Sequence, residues 1–128
     1  MKDHKKVAMG KKSRKDGAAF ELKVRKWLEE NGFFVDRWTN NVRDGEIRPA
    51  RGNRFGSRTL GFPDFVAFDL EGFLILVECK TNGILSKDEK EKIKFLEERG
   101  FTCYVAYKGD DGKSVEFKER PRLRGEKA

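Results

Sequence analysis

The sequence predicts an α/β fold, a mixed central β-sheet of four or five strands flanked by two helices. Three observations carry this. Phe20, Val24, Trp27 and Leu28 recur at helical spacing before Asn31-Gly32. Leu74-Ile75-Leu76-Val77 is apolar at every position, as in a strand buried on both faces. A capped helix then separates that run from a second apolar strand, Phe101–Tyr107, and a strand–helix–strand unit implies a crossover with parallel pairing.

The elements follow in order. Residues 1–15 are basic, nearly without aliphatics and aperiodic, and are expected to form a disordered tail. The first helix is expected from about Asp16-Gly17 to Glu30, with Gly32 at its stop. Phe33–Trp38 reads as the first strand. A polar loop rich in Arg and Gly follows, then strands 64–69 and 73–80 around the turn Asp69-Leu70-Glu71-Gly72-Phe73. Ser86-Lys87-Asp88-Glu89 is a capping box that opens the second helix, which turns Ile93 and Leu96 inward and stops at Arg99-Gly100. Ser114–Lys118 supplies a last edge strand, and residues 119–128 a basic C-terminal tail, so the globular domain spans 16–118.

At 128 residues the chain makes one domain, burying roughly two-thirds of its unfolded surface. Hydrophobic residues are 37% of it and eleven are Phe, enough for a packed core. No apolar run reaches the roughly 18–20 residues of a membrane span, and the N-terminal stretch lacks the apolar segment of a secretory signal, so a cytoplasmic protein is expected. Cys79 and Cys103 lie in apolar strands and read as small buried hydrophobes. Structural zinc needs four ligands, and the sole histidine is His4 in the N-terminal tail.

A net charge of +7 and a pI near 9.5 point to a polyanionic partner. Met1–Lys15 carries seven Lys or Arg against one acid, among them Lys11, Lys12 and Arg14. Asn41–Leu60 carries Arg43, Arg48, Arg51, Arg54 and Arg58 against Asp44 and Glu46. This loop and the basic N-terminus are expected to grip a nucleic-acid backbone without reading its sequence. Phe55, set among Arg54, Gly56 and Arg58, is a candidate for stacking on a base, whereas Trp38 at a strand end reads as core.

The chemistry centres on Asp64, Glu78 and Lys80. If the intervening turn is a tight hairpin centred on Glu71, antiparallel pairing places Asp64 directly opposite Glu78, with Cβ atoms roughly 4.5–5.5 Å apart. Both carboxylates then reach one divalent cation. Glu78 and Lys80 are two apart, so they leave the same face of their strand. Acid, acid and ammonium at the end of a buried strand suit metal-assisted hydrolysis of a phosphodiester. A surface ion-pair ladder would sit on an alternating strand instead.

Pro63-Asp64, a spacer, then Glu78-Cys79-Lys80 resembles the signature of the PD-(D/E)XK nuclease superfamily. Gly61-Phe62-Pro63-Asp64, Glu78-Cys79-Lys80-Thr81, then Leu85-Ser86 and a helix ending at Gly100 is similar to the VRR-NUC branch. Gly17-Ala18-Ala19-Phe20-Glu21, leading to Trp27-Leu28 and Gly32-Phe33, resembles the start of archaeal Holliday-junction resolvases. The resemblance covers roughly residues 17–108. It implies a restriction-endonuclease-like core and a Mg²⁺-dependent deoxyribonuclease in which Mn²⁺ can substitute. Asp64, Glu78 and the Cys79 backbone carbonyl would hold the metal, and Lys80 would orient the attacking water or stabilise charge. Glu21 is by spacing alone an ordinary boundary glutamate; the resemblance makes it a further metal and catalytic residue. Gly61 would let backbone approach the substrate closely. Glu89 stands where the VRR-NUC pattern often has glutamine, and the capping box accounts for it equally well. The expected substrate is branched, flap or four-way DNA, as in repair and recombination, and cutting two strands of a junction requires a homodimer. The alternative is a non-catalytic nucleic-acid-binding module of the same fold.

Overall fold

The computed structural model describes residues 4–50 and 61–118, with side chains from residue 15 onward. Helix α1 spans His4–Glu30, strand β1 Phe34–Arg37, β2 Asn40–Arg43, β3 Glu46–Pro49, β4 Phe65–Phe68 and β5 Leu74–Cys79. Helix α2 follows over Lys87–Glu98, then β6 over Cys103–Lys108 and β7 over Val115–Phe117. The result is a mixed α/β fold with a five-stranded sheet in the order β1-β4-β5-β6-β7 and a separate two-stranded sheet, β2-β3.

Helix α1 begins at His4, well before the expected start near Asp16, so the stretch expected to be a tail is helical from that point. Lys, Arg, Ala and Met are good helix formers, and a helix already anchored further along extends without a second nucleation cost. The anchor is the stripe Phe20, Val24 and Leu28, each at most 2% exposed. The helix ends in a Schellman motif. Gly32, at φ 91°, takes the left-handed position, its N–H donates to the Glu29 carbonyl at 3.2 Å, and the Phe33 N–H donates to that of Leu28 at 3.0 Å. Helix α2 stops in the same way, through Gly100 and Phe101.

One face of the large sheet carries Val35, Phe65, Ala67, Ile75, Val77, Ala106 and Phe117, and these pack with the α1 stripe and Phe33 into the hydrophobic core. Strand alternation sends Leu76, Glu78 and Lys80 to the other face. That is the side of α2: Glu89 meets Lys80 there, and the Lys92 ammonium lies 5.7 Å from the Phe62 ring centroid. Of the strand read as buried on both faces, Ile75, Leu76 and Val77 are so, all at 0% exposure, whereas Leu74 at its start is 43% exposed.

Strands β4 and β5 are antiparallel in the expected register, Phe65↔Val77 through Phe68↔Leu74. The turn between them is closed by Asp69, whose carboxylate accepts from the Glu71 and Phe73 N–H groups, both at 2.9 Å. Strands β5 and β6 are parallel, with Val77↔Tyr104 and Glu78↔Val105, and β7 pairs antiparallel at the edge.

Part of the expected Arg/Gly loop is instead the β2-β3 hairpin. Its turn is Asp44-Gly45, with φ 53° and 70°, a two-residue connection whose positive φ values suit this dipeptide. Residues 51–60 and the expected tail 119–128 lie outside the described residues. Gly61 has a packing role within the chain. A Cβ there would overlap the Trp38 carbonyl and come within 2.8 Å of the Asn40 oxygen. The backbone it must approach is the chain's own, where the Phe62 N–H donates to Asn40 O at 2.9 Å.

Candidate active site

The site lies where β4 begins and β5 ends. The β4-β5 register, carried one residue beyond the ladder, brings Asp64 opposite Glu78. Asp64 is held by main chain on both sides. Its carbonyl accepts from Trp38 N–H at 3.0 Å, and its carboxylate Oδ2 accepts from Cys79 N–H at 2.8 Å. Pro63 before it follows a cis peptide bond.

Glu78 is the one charged residue in the described core, at 4% exposure. Its Oε1 is buried and has no hydrogen-bond partner. A buried, unpaired carboxylate oxygen is costly, and native proteins keep such atoms where something else satisfies them. Burial first, then a side-chain hydrogen bond to the adjoining Asp64 carboxyl and the charge of that group, pushes the Glu78 pKa up to about 10, so without a cation the carboxyl holds its proton. The same two influences, burial and then Asp64, also hold the Cys79 thiol far above its usual range, with Glu78 and Glu21 adding to the effect. Burial pushes Cys103 up to about 12. Both cysteines are free thiols, inert rather than nucleophilic.

Lys80 reaches toward both acids on its face, 3.9 Å from Glu78 Oε2 but only 2.6 Å from Glu89 Oε2. Burial alone would lower its pKa; hydrogen bonding to Glu89 and the charges of Glu78, Glu89 and Asp64 outweigh that and raise it. Burial would raise Glu89, yet its bonds to Lys80 and Ser86 hold it below its ordinary value. The expected capping box is present: Ser86 Oγ accepts from Glu89 N–H at 3.1 Å, and Glu89 Oε1 accepts from Ser86 N–H at 2.9 Å. Glu89 therefore serves the cap and Lys80 together. Only the first half was marked by sequence, because the second joins residues on separate elements.

Glu21 sits on α1, over the opposite face of the sheet from Glu78. Arg37 Nη2 donates to its carboxylate at 3.2 Å. Glu21 still acts on the Cys79 side of the strand, where its charge contributes to the raised thiol pKa. Among the described residues no group of three or more His, Cys, Asp or Glu side chains is placed to hold a metal ion. The local carboxylate pair is thus Asp64 and Glu78, with Glu21 paired to Arg37. Arg37 had no sequence signal, since only the packing of α1 against β1 brings the two together.

Of the expected nucleic-acid contacts, Arg48 is described, and it pairs with acids of its own hairpin, Glu46 at 2.8 Å and Asp44 at 3.8 Å. Lys11, Lys12 and Arg14 lie on α1 at positions whose side chains are outside the described part, and Arg51, Arg54, Phe55 and Arg58 fall outside the described residues altogether. Trp38 is half-buried, its ring edge-on to Phe101 with centroids 6.1 Å apart. No described helix is long and apolar enough to cross a membrane.

Comparison with known proteins gives no match for this chain, whether to a family model, a curated protein or a solved structure.

Proposed function

We propose that this chain is a divalent-metal-dependent nuclease with a restriction-endonuclease-like core, hydrolysing phosphodiester bonds of branched DNA as a cytoplasmic homodimer. The observation that carries the reading is Glu78: a carboxylate at 4% exposure, facing Asp64, with Oε1 buried and unpartnered. That donor set fits Mg²⁺ or Mn²⁺, a hard cation bound through one or two carboxylates while it keeps several waters. Asp64, Glu78 and the Cys79 carbonyl would hold the ion. When bound, it would supply an activated water and neutralise charge on the phosphate.

The chain's own groups supply the rest. The Asp64 carboxylate is oriented by the Cys79 N–H, which fixes it without a flexible partner. Lys80 keeps a charged ammonium beside the carboxylate pair, placed to stabilise negative charge that develops on the scissile phosphate. The net charge of +7 draws polyanionic substrate toward the protein.

A second reading, a non-catalytic nucleic-acid-binding module, is favoured by one observation: Lys80 is engaged by Glu89 at 2.6 Å, as in a purely structural ion pair. Matched linear, flap and four-way DNA substrates, incubated with Mg²⁺, Mn²⁺ or EDTA, separate the two. Cleavage of branched substrate that needs metal and stops in EDTA is expected. Binding without cleavage under every metal condition would leave the module reading standing.

A further inference from the structure

We propose that Glu89 is a positioning residue for Lys80, holding its ammonium beside Glu78 without letting it collapse onto that carboxylate; this rests on the nuclease reading. The Lys80 backbone is already fixed. Its N–H donates to Ala106 O at 2.9 Å on β6, and its carbonyl accepts from Gly83 N–H at 2.8 Å. Beyond Cα the side chain is a flexible four-carbon stem, and two carboxylates compete for its end. Glu89 holds it at 2.6 Å, against 3.9 Å to Glu78. The difference decides where the charge sits.

Glu89 is itself anchored. One oxygen, Oε1, accepts from Ser86 N–H at 2.9 Å, so the carboxylate is fixed at the N-terminus of α2 while Oε2 faces Lys80. The Ser86 backbone N–H therefore does more than start a helix: it fixes the carboxylate that holds the ammonium. With Glu89 gone, the nearest remaining anion for Lys80 is Glu78, and an ammonium seated there would compete for the carboxylate that the cation needs.

The two duties of Glu89 can be separated. Glu89→Gln retains an oxygen for the Ser86 N–H, which preserves the cap, but turns an NH₂ group toward the ammonium. Ser86→Ala weakens the cap from its other side and leaves the Lys80 contact in place. On a labelled four-way DNA junction with Mg²⁺, E89Q is expected to lower kcat by about 10- to 100-fold, the scale of a misplaced catalytic group, with KM changed by less than about threefold. S86A is expected to lower Tm and leave kcat alone. In a Lys80→Ala background, E89Q should cost nothing more.

The proposal is overturned if E89Q keeps the wild-type kcat, if its cost is undiminished without Lys80, or if S86A reproduces it. A wild-type protein that cleaves no DNA with any metal sinks the nuclease reading instead. Glu89 is then judged on ¹³C relaxation at Lys80 Cε. Increased mobility in E89Q but not in S86A upholds its hold on the lysine, and unchanged mobility overturns it.

Discussion

The strand-end site and the β2-β3 hairpin both concentrate charge, and they handle it in opposite ways. On the hairpin, Arg48 is matched by Glu46 and Asp44, within four residues along the chain and exposed to solvent. Such pairs are worth roughly 0–1 kcal/mol and exchange partners easily. At the site, Glu78 is buried with one oxygen unsatisfied, and its neighbours come from β4 and, through Lys80, from α2. Local sequence neutralises Arg48, while Arg43 of the same hairpin donates from Nη2 to the Pro49 carbonyl and keeps a buried Nε without a hydrogen-bond partner. At the site, the fold leaves one oxygen of the buried Glu78 carboxyl unsatisfied next to Asp64, and a buried polar group of that kind is where a ligand gains most.

The contrast breaks most sharply at the carboxylates. Asp64→Asn or Glu78→Gln should reduce metal-dependent cleavage by more than about 10²-fold, while DNA affinity holds or rises as repulsion against phosphate is relieved. A second readout is independent of turnover: Mn²⁺ should raise the Tm of the wild type and leave that of either variant unmoved. Cleavage at the wild-type rate in either variant would dismantle the site.

Lys80→Ala should come next, with kcat down by about 10²-fold and KM little affected, since its charge matters as negative charge develops. Loss of DNA affinity alone would make the lysine a phosphate contact.

A smaller effect concerns pH. Glu78 titrates above its ordinary value in the folded chain, so the folded state binds its proton more tightly than the unfolded one. That contribution to stability is fully present below the unfolded carboxylate pKa and is lost as pH rises toward the folded value. In EDTA, the Tm of the wild type should therefore fall relative to Glu78→Gln between mildly acidic and alkaline pH. Parallel Tm profiles for the two proteins would show that burial does not strain Glu78.

The smallest effects belong to the arginines. Replacing Arg51, Arg54 and Arg58 together with Ala should make the slope of log K against log salt on duplex DNA shallower by about 0.9 for each phosphate they neutralise. Arg48→Ala alone should change stability by less than about 1 kcal/mol, its partners being exposed. If Arg48→Ala flattens the salt slope by as much as one neutralised phosphate, the hairpin arginine leaves its acids for DNA and the contrast between the two regions narrows.

Much of this was legible in the chain. Side-chain alternation is a local property, so Glu78 and Lys80 sharing a face followed from their spacing, and the turn centred on Glu71 set the register that brings Asp64 opposite Glu78. The Ser86–Glu89 cap and the glycine stops of both helices are equally local. The Asp44-Gly45 hairpin was legible too, as an Asp-Gly pair with chain of strand length on either side, but the density of arginine and glycine around it obscured the signal.

The sequence by itself determined which residues share a strand face, where α2 is capped, where both helices stop, and that two acids and a lysine converge. These depend on backbone periods and hydrogen bonds spanning a few residues. Only the tertiary structure decided that Glu21 answers to Arg37, that Glu89 reaches Lys80, and that Gly61 is needed for the chain's own crossing at Trp38. Each of these joins groups on different elements. Which element lies over a given face is settled by burying all the apolar stripes at once, and no short window of sequence contains that condition.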